Sequence, residues 1–228
     1  MTNRKFDAVL FDCDGVLVDS EPIVNRLLCE MMNDLGWKLT LKESIHLFLG
    51  KAVRDNKDLI EHHTGKPLTD EWMRHFRARR DAALVDQMLA TEGIHDALDA
   101  ITACYGTKIA VASGADRGKL EVMLSKVDLM KYFEGRIFSG HEMPRSKPHP
   151  DVYLAAAAAL GVDPKRCVVI EDTPTGVKAG VAAGATVFGF APSDPIRVAM
   201  HGDGGELLAH GAREVLRDMR ALANLVSG

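Results

Sequence analysis

The sequence predicts an α/β protein, a doubly wound parallel sheet with an all-helical segment inserted into it. Four short runs rich in apolar and β-branched residues are each closed by turn or polar residues. Helical patterns alternate with the later runs, and residues 20–90 carry amphipathic helical patterns with no convincing strand.

The strand candidates are Ala8–Phe11, Lys108–Ala112, Cys167–Ile170 and Thr186–Phe190. Each is apolar at nearly every position, as strands covered by helices on both faces are. A weaker run, Arg136–Ser139, offers a fifth strand. Helical patterns cover Asp116–Val127, Pro150–Leu160 with its alanine run, and Thr175–Ala183, which Gly184 closes. Parallel neighbours need a crossover between them, so this alternation predicts a Rossmann-like core.

Within the inserted segment, Leu27, Leu28, Met31, Met32 and Leu35 recur at helical spacing and stop at Gly36. Further helices are expected over Leu41–Leu49, Val53–His63 and Thr69–Leu89, the last with Asp70 and Glu71 in its first turn. The expected organisation is therefore a core of residues 1–19 and 91–228 with a helical domain of residues 20–90. An insertion there lies beyond the C-terminal end of the first strand, where open α/β sheets bind ligands.

Composition narrows the function classes. Lys and Arg number 28 against 32 Asp and Glu, a formal charge of −4, which gives no reason to expect nucleic acid or an anionic membrane as partner. With 46% hydrophobic and 26% charged residues among 228, the chain reads as an ordinary globular protein able to bury a core. No apolar stretch reaches the ~18 residues of a spanning helix, and Phe6–Phe11 is too short for a signal-peptide core. Cys13, Cys29, Cys104 and Cys167 form no C-x-x-C pair, so neither a zinc site nor a disulfide framework is expected. A soluble, cytoplasmic monomer with reduced thiols is the expectation.

Chemistry-bearing residues collect where the strands end. Asp12 and Asp14, two apart on extended chain, can point to one side, and Gly15 allows a sharp turn directly after them. The pair could hold a hard cation, divide into a nucleophile and a general acid/base, or be a solvated acidic loop. Ser113 and Gly114 offer a hydroxyl and backbone N–H groups suited to a phosphate oxygen, and Lys147 is a cation between Ser146 and Pro148. Glu171 and Asp172 could complete a Mg²⁺ site. Each has an ordinary alternative, a loop serine, a surface lysine or an acidic helix cap. Their joint placement at strand ends favours a site.

In Asp12–Glu21, Ser113, Ser146–Asp151 and Glu171–Val177, in that order, the chain resembles the haloacid dehalogenase-like hydrolases. Within them it is most similar to the small-cap group of sugar-phosphate phosphatases and β-phosphoglucomutases. The resemblance implies that Asp12 is the nucleophile that becomes an aspartyl phosphate and Asp14 the acid/base. It implies that Ser113 and Lys147 grip the phosphoryl group, and that the helical insertion is a cap choosing a small phosphorylated metabolite. Mg²⁺ would be held by Asp12, the Asp14 backbone carbonyl and Asp172, with Glu171 in direct or water-mediated support.

The resemblance also takes in carbon–halogen hydrolases and phosphonate-cleaving enzymes, which typically lack the second aspartate because they have no ester leaving group to protonate in the same way, so Asp14 argues for phosphoryl transfer. Lys51 and Arg54, in Gly50–Asp55, resemble the loop with which β-phosphoglucomutases hold a second phosphate, and stand as candidate substrate contacts. Those mutases usually carry histidine where this chain has Val24, so a phosphatase is expected ahead of a mutase. A non-catalytic phosphometabolite-binding protein ranks last, since every catalytic position holds a competent residue. The basic run Arg74, His75, Arg77, Arg79 and Arg80 is expected to spread around a helix surface.

Overall fold

The computed structural model describes residues 4–48, 53–193 and 202–227. It divides into two compact units, Met1–Asp19 with Leu89–Gly228, and Ser20–Met88.

The first unit is built on six parallel strands, β1 (Ala8–Phe11), β2 (Ile109–Ser113), β3 (Ile137–Ser139), β4 (Cys167–Glu171), β5 (Thr186–Phe190) and β6 (Glu214–Leu216), in the order β3-β2-β1-β4-β5-β6. The order turns back between β1 and β4, which opens a crevice beyond their C-terminal ends. Phe11 pairs with Ile170, so Asp12 and Glu171 leave the two strands side by side. The weak run ending at Ser139 forms β3, while β6 carries no apolar run in the sequence. It is a three-residue edge strand with Glu214 exposed, so the period-2 burial signal is too short to read.

The second unit holds α1 (Glu21–Asp34), α2 (Leu41–Phe48), α3 (Lys57–Thr64) and α4 (Asp70–Gln87). Leu27, Leu28, Met31 and Met32 pack with Phe48, Ile60, Leu68 and Phe76 in its own core, and Val24 lies against them. The single helix expected over Val53–His63 is instead a 3-10 turn, Val53–Asn56, followed by α3, which Gly65 ends in the left-handed conformation at φ 64°. Thr69 caps α4 by accepting from the Trp72 N–H at 3.1 Å. The expected surface position of Arg80 is corrected. Arg80 is buried and bonds Asp81, while Arg79 reaches Glu30 at 3.5 Å and Asp34 at 3.7 Å. Acids on α1 and α4 neutralise these arginines, so they form no open basic face.

Among the described residues of the first unit, the helices are α5 (Ile94–Tyr105), α6 (Arg117–Lys126), α7 (Met130–Phe133), α8 (Asp151–Leu160), α9 (Pro174–Ala182), α10 (Gly205–Ala209) and α11 (Leu222–Val226). Ala156 and Ala157 of α8 lie in one core with Leu10 of β1, Ala110 and Ala112 of β2, and Val169 of β4. Small side chains on both surfaces bring that helix close to the sheet. The chain returns to this unit after Met88 caps α4, where Asp19 N–H donates to Leu89 O at 3.2 Å and Thr91 N–H to Leu17 O at 3.0 Å. Residues 89 and 90 thus already belong to the sheet-bearing unit. The four cysteines are free, and no described helix is long and apolar enough to cross a membrane.

Candidate active site

The β1–β4 crevice collects buried charge. Asp12 follows β1 and is 7% exposed, Glu171 ends β4 at 1%, and Asp172 follows it at 8%. Lys147 arrives from the loop before α8, and its Nζ lies 2.6 Å from Asp12 Oδ1 and 2.7 Å from Glu171 Oε1. It also stands 4.7 Å from the centroid of the Tyr153 ring. Uncompensated, such burial would be prohibitive; here the Lys147 ammonium sets an opposite charge against both Asp12 and Glu171.

Glu171 is the most constrained member. Its Oε1 accepts from Lys147 and from the Tyr153 hydroxyl at 2.7 Å, and its Oε2 from the N–H groups of Asp172 and Thr173 and the Thr173 hydroxyl. A Cβ at Gly176 would overlap this carboxylate, so only glycine lets the first turn of α9 approach so closely.

Gly15 does the same for Asp172. Its φ of 79° suits glycine, and a Cβ there would overlap the Asp172 carboxylate. The turn is closed by Gly15 N–H donating to Val18 O at 2.8 Å and by Leu17 N–H donating to Cys13 O at 2.9 Å.

Burial pushes the Asp12 carboxyl up to about 7, with Lys147 opposing and Glu171 and Asp14 adding to the rise. Burial alone would pull the Lys147 ammonium down, yet Asp12 and Glu171 outweigh it and hold it well above the ordinary lysine value. Lys147 therefore stays charged beside Asp12. Burial likewise raises the Cys13 thiol far above its usual range, which leaves it unreactive between the two aspartates.

Asp14 turns elsewhere. Both of its carboxylate oxygens lie 2.7 Å from Lys119 Nζ, in the first turn of α6. Ser113 ends β2 with its hydroxyl buried and accepting from Ala115 N–H at 3.3 Å, and Gly114 beside it is exposed. Arg54 is an exposed residue of the Val53–Asn56 turn in the other unit, and Lys51 and Gly50 lie outside the described residues. Lys119 and Tyr153 were not among the residues singled out in the sequence. Tyr153 carried one signal, the sole aromatic in an otherwise alanine-rich helix; Lys119 carried none beyond its place after Asp116.

The model of the haloacid dehalogenase-like hydrolase family matches residues 6–184, a span that includes Asp12, Asp14, Ser113, Lys147, Glu171 and Asp172. The chain belongs to that family. This haloacid dehalogenase-like hydrolase is 33% identical over 192 residues to 6-phosphogluconate phosphatase of Escherichia coli (strain K12), covering 84% of this chain and 85% of that protein. It is 33% identical over 184 residues to hexitol phosphatase B of the same organism, covering 80% and 82%. A crystal structure of a haloacid dehalogenase family hydrolase from Deinococcus radiodurans R1, with bound phosphate and sodium, matches it with a TM-score of 0.75 at 35% identity, covering 98% of this chain and 99% of that one.

Among the described residues of this hydrolase, Asp12, Glu171 and Asp172 offer oxygens that all lie within 4.8 Å of one another. Oxygen donors of negative charge, gathered this closely and buried, suit a hard divalent cation. The Asp14 carboxylate is not part of that group and faces Lys119.

Proposed function

We propose that the protein is a Mg²⁺-dependent phosphatase that hydrolyses a small phosphorylated sugar or sugar acid through an aspartyl phosphate on Asp12. The observation that carries this reading is Lys147 held between Asp12 and Glu171, beside Asp172, at the sheet's switch point. A carboxylate nucleophile repels a phosphate dianion unless fixed positive charge stands beside it, and Lys147 supplies that charge in a water-poor crevice. The likeness to phosphatases of 6-phosphogluconate and hexitol phosphates supports the substrate class.

Asp12 and Asp172 would hold Mg²⁺ together with the Asp14 backbone carbonyl, and Glu171 would support it while keeping Lys147 in place. The cation supplies charge neutralisation for the phosphoryl oxygens. Ser113 and the Gly114 N–H would receive one of those oxygens. Asp12 attacks phosphorus, the bond from phosphorus to the leaving oxygen breaks, and Asp14 gives that oxygen its proton. Water then attacks phosphorus, Asp14 takes the water's proton, and the bond from Asp12 to phosphorus breaks to release inorganic phosphate. Lys51 and Arg54 remain candidate contacts for a distal anionic group of the substrate, and the protein is expected to work as a cytoplasmic monomer.

The test is a panel of phosphorylated metabolites, each incubated with and without Mg²⁺, in wild type and Asp12→Asn. Cation-dependent phosphate release that disappears in Asp12→Asn is expected. Undiminished release in that variant would remove Asp12 from the chemistry and with it this proposal.

A further inference from the structure

Outside the Asp12–Lys147–Glu171 group, Asp14, a residue of the proposed chemistry, makes an ion pair with Lys119 at 2.7 Å. A single nitrogen 2.7 Å from both oxygens of a carboxylate lies near the carboxylate's axis. The group cannot swing without lengthening at least one of these bonds. Lys119 and Asp14 side chains are 14% and 21% exposed, so water competes weakly for either partner.

The lysine is itself held at its root. The Asp116 side chain caps α6 by accepting from the Lys119 N–H at 3.0 Å. Its neighbour Arg117 donates to Ile137 O at 3.1 Å and to Glu142 Oε2 at 2.6 Å, which ties the same turn to β3 and the segment after it. A flexible lysine stem thus leaves a fixed first turn and ends on one carboxylate. A surface lysine making a chance ion pair would have neither the anchored base nor both oxygens.

We propose that Lys119 is a positioning residue for Asp14. It fixes the direction of the acid/base carboxylate, and it gives up one of its two contacts when the leaving oxygen of a bound ester reaches that carboxylate. The inference rests on Asp14 as the acid/base, as set out above. In the first half-reaction the bond from phosphorus to the leaving oxygen breaks, the bond from Asp12 to phosphorus forms, and the Asp14 proton ends on the leaving oxygen. An alkoxide needs that proton, whereas a nitrophenolate leaves without it.

This difference separates positioning from general structural support. Lys119→Met, Lys119→Arg and Asp14→Asn are assayed as full chains with Mg²⁺ on 4-nitrophenyl phosphate and on the sugar phosphate that wild type hydrolyses fastest. Lys119→Met is expected to lower kcat on the sugar phosphate roughly 10- to 100-fold, and on the nitrophenyl ester less than about threefold, with KM little changed. Lys119→Arg, which keeps the charge, recovers most of the loss. Asp14→Asn shows the same split, and adding Lys119→Met to it costs nothing more on the sugar phosphate, because the two residues act as a unit.

Equal fractional losses on both esters, a loss confined to KM, or multiplying losses in the double variant would each overturn the proposal. If Lys119→Met does not fold by thermal melt, Lys119→Gln carries the same comparison. Asp12→Asn run alongside isolates the other failure. Full turnover there on both esters removes the aspartyl-phosphate mechanism on Asp12, and the role of Lys119 falls with it; loss there with equal losses in Lys119→Met overturns the positioning role alone.

Discussion

The Tyr153 hydroxyl donates to Glu171 Oε1 at 2.7 Å, the same oxygen that accepts from Lys147 at 2.7 Å. Tyr153 comes from α8 and Glu171 from the end of β4, so packing of helix on sheet sets the direction of Lys147. Tyr153→Phe keeps the ring over the ammonium and removes the donor. A stability loss of about 1 kcal/mol is expected, with kcat/KM lowered about 3- to 10-fold as Lys147 loosens. Thermal melts and steady-state kinetics check both. Tyr153→Ala, which empties a fully buried site, is expected to cost about 3–5 kcal/mol.

Removing the cation should matter to both activity and folding. Asp12, Glu171 and Asp172 concentrate negative charge that Lys147 offsets only in part. Chelation is expected to abolish phosphate release, and Mg²⁺ at about 100 times its Kd to stabilise the fold by about 2.7 kcal/mol. Differential scanning fluorimetry across a Mg²⁺ series measures this, and a melting temperature indifferent to Mg²⁺ would contradict the site.

Gly15→Ala tests the turn that brings Asp172 close. Alanine would be strained at φ 79° and its Cβ would displace the Asp172 carboxylate. A loss of at least about 1–3 kcal/mol is expected from the backbone alone, with weaker Mg²⁺ dependence of activity. Gly36→Ala is the control, also at positive φ but with nothing near its Cβ, so it should lose stability and leave Mg²⁺ dependence intact.

The phosphatase and mutase alternatives separate on one assay. Glucose 1-phosphate supplied with a bisphosphate primer and Mg²⁺ is expected to yield inorganic phosphate or no reaction, without accumulation of glucose 6-phosphate. Isomer interconversion with little free phosphate would assign the second-phosphate role to Arg54 despite Val24.

The tyrosines give a pH signature of the fold. Burial first, and then the hydrogen bond to Asp99 at 2.6 Å, push the Tyr132 phenol up to about 12, and burial also raises Tyr105 and Tyr153. A phenol whose folded value lies above its unfolded one, about 10, stabilises the fold fully below pH 10. That contribution fades as the pH climbs toward 12. At pH 10.5 the folded protein should show less than about a third of the 295 nm tyrosinate absorbance that it shows in guanidinium at the same pH. Asp99→Asn should bring ionisation of Tyr132 to lower pH.

Much of this molecule was legible in its sequence because the relevant signals are local. A buried parallel strand is a short apolar run, and the residue after it stands at the sheet's C-terminal edge whatever surrounds it. Asp12, Ser113, Glu171 and Asp172 are of this kind, and the sheet brings Asp12, Glu171 and Asp172 together with Lys147. The amphipathic spacing of Leu27, Leu28, Met31 and Met32 likewise marks the core of the second unit.

Helix-borne partners were not legible. Lys119 and Tyr153 sit at unremarkable positions of predicted helices, and only the docking of α6 and α8 decides that one reaches Asp14 and the other Glu171. Arg80 is buried for the same reason, because a helix pattern gives the spacing of a face and not the identity of what covers it. The order of residues determined the fold class, the strand-end acids and the lysine loop, while tertiary structure decided which carboxylate each lysine holds. Strand-end placement follows from backbone geometry alone; ion-pair choice depends on distances between segments as far apart as Asp14 and Lys119, which no local pattern encodes.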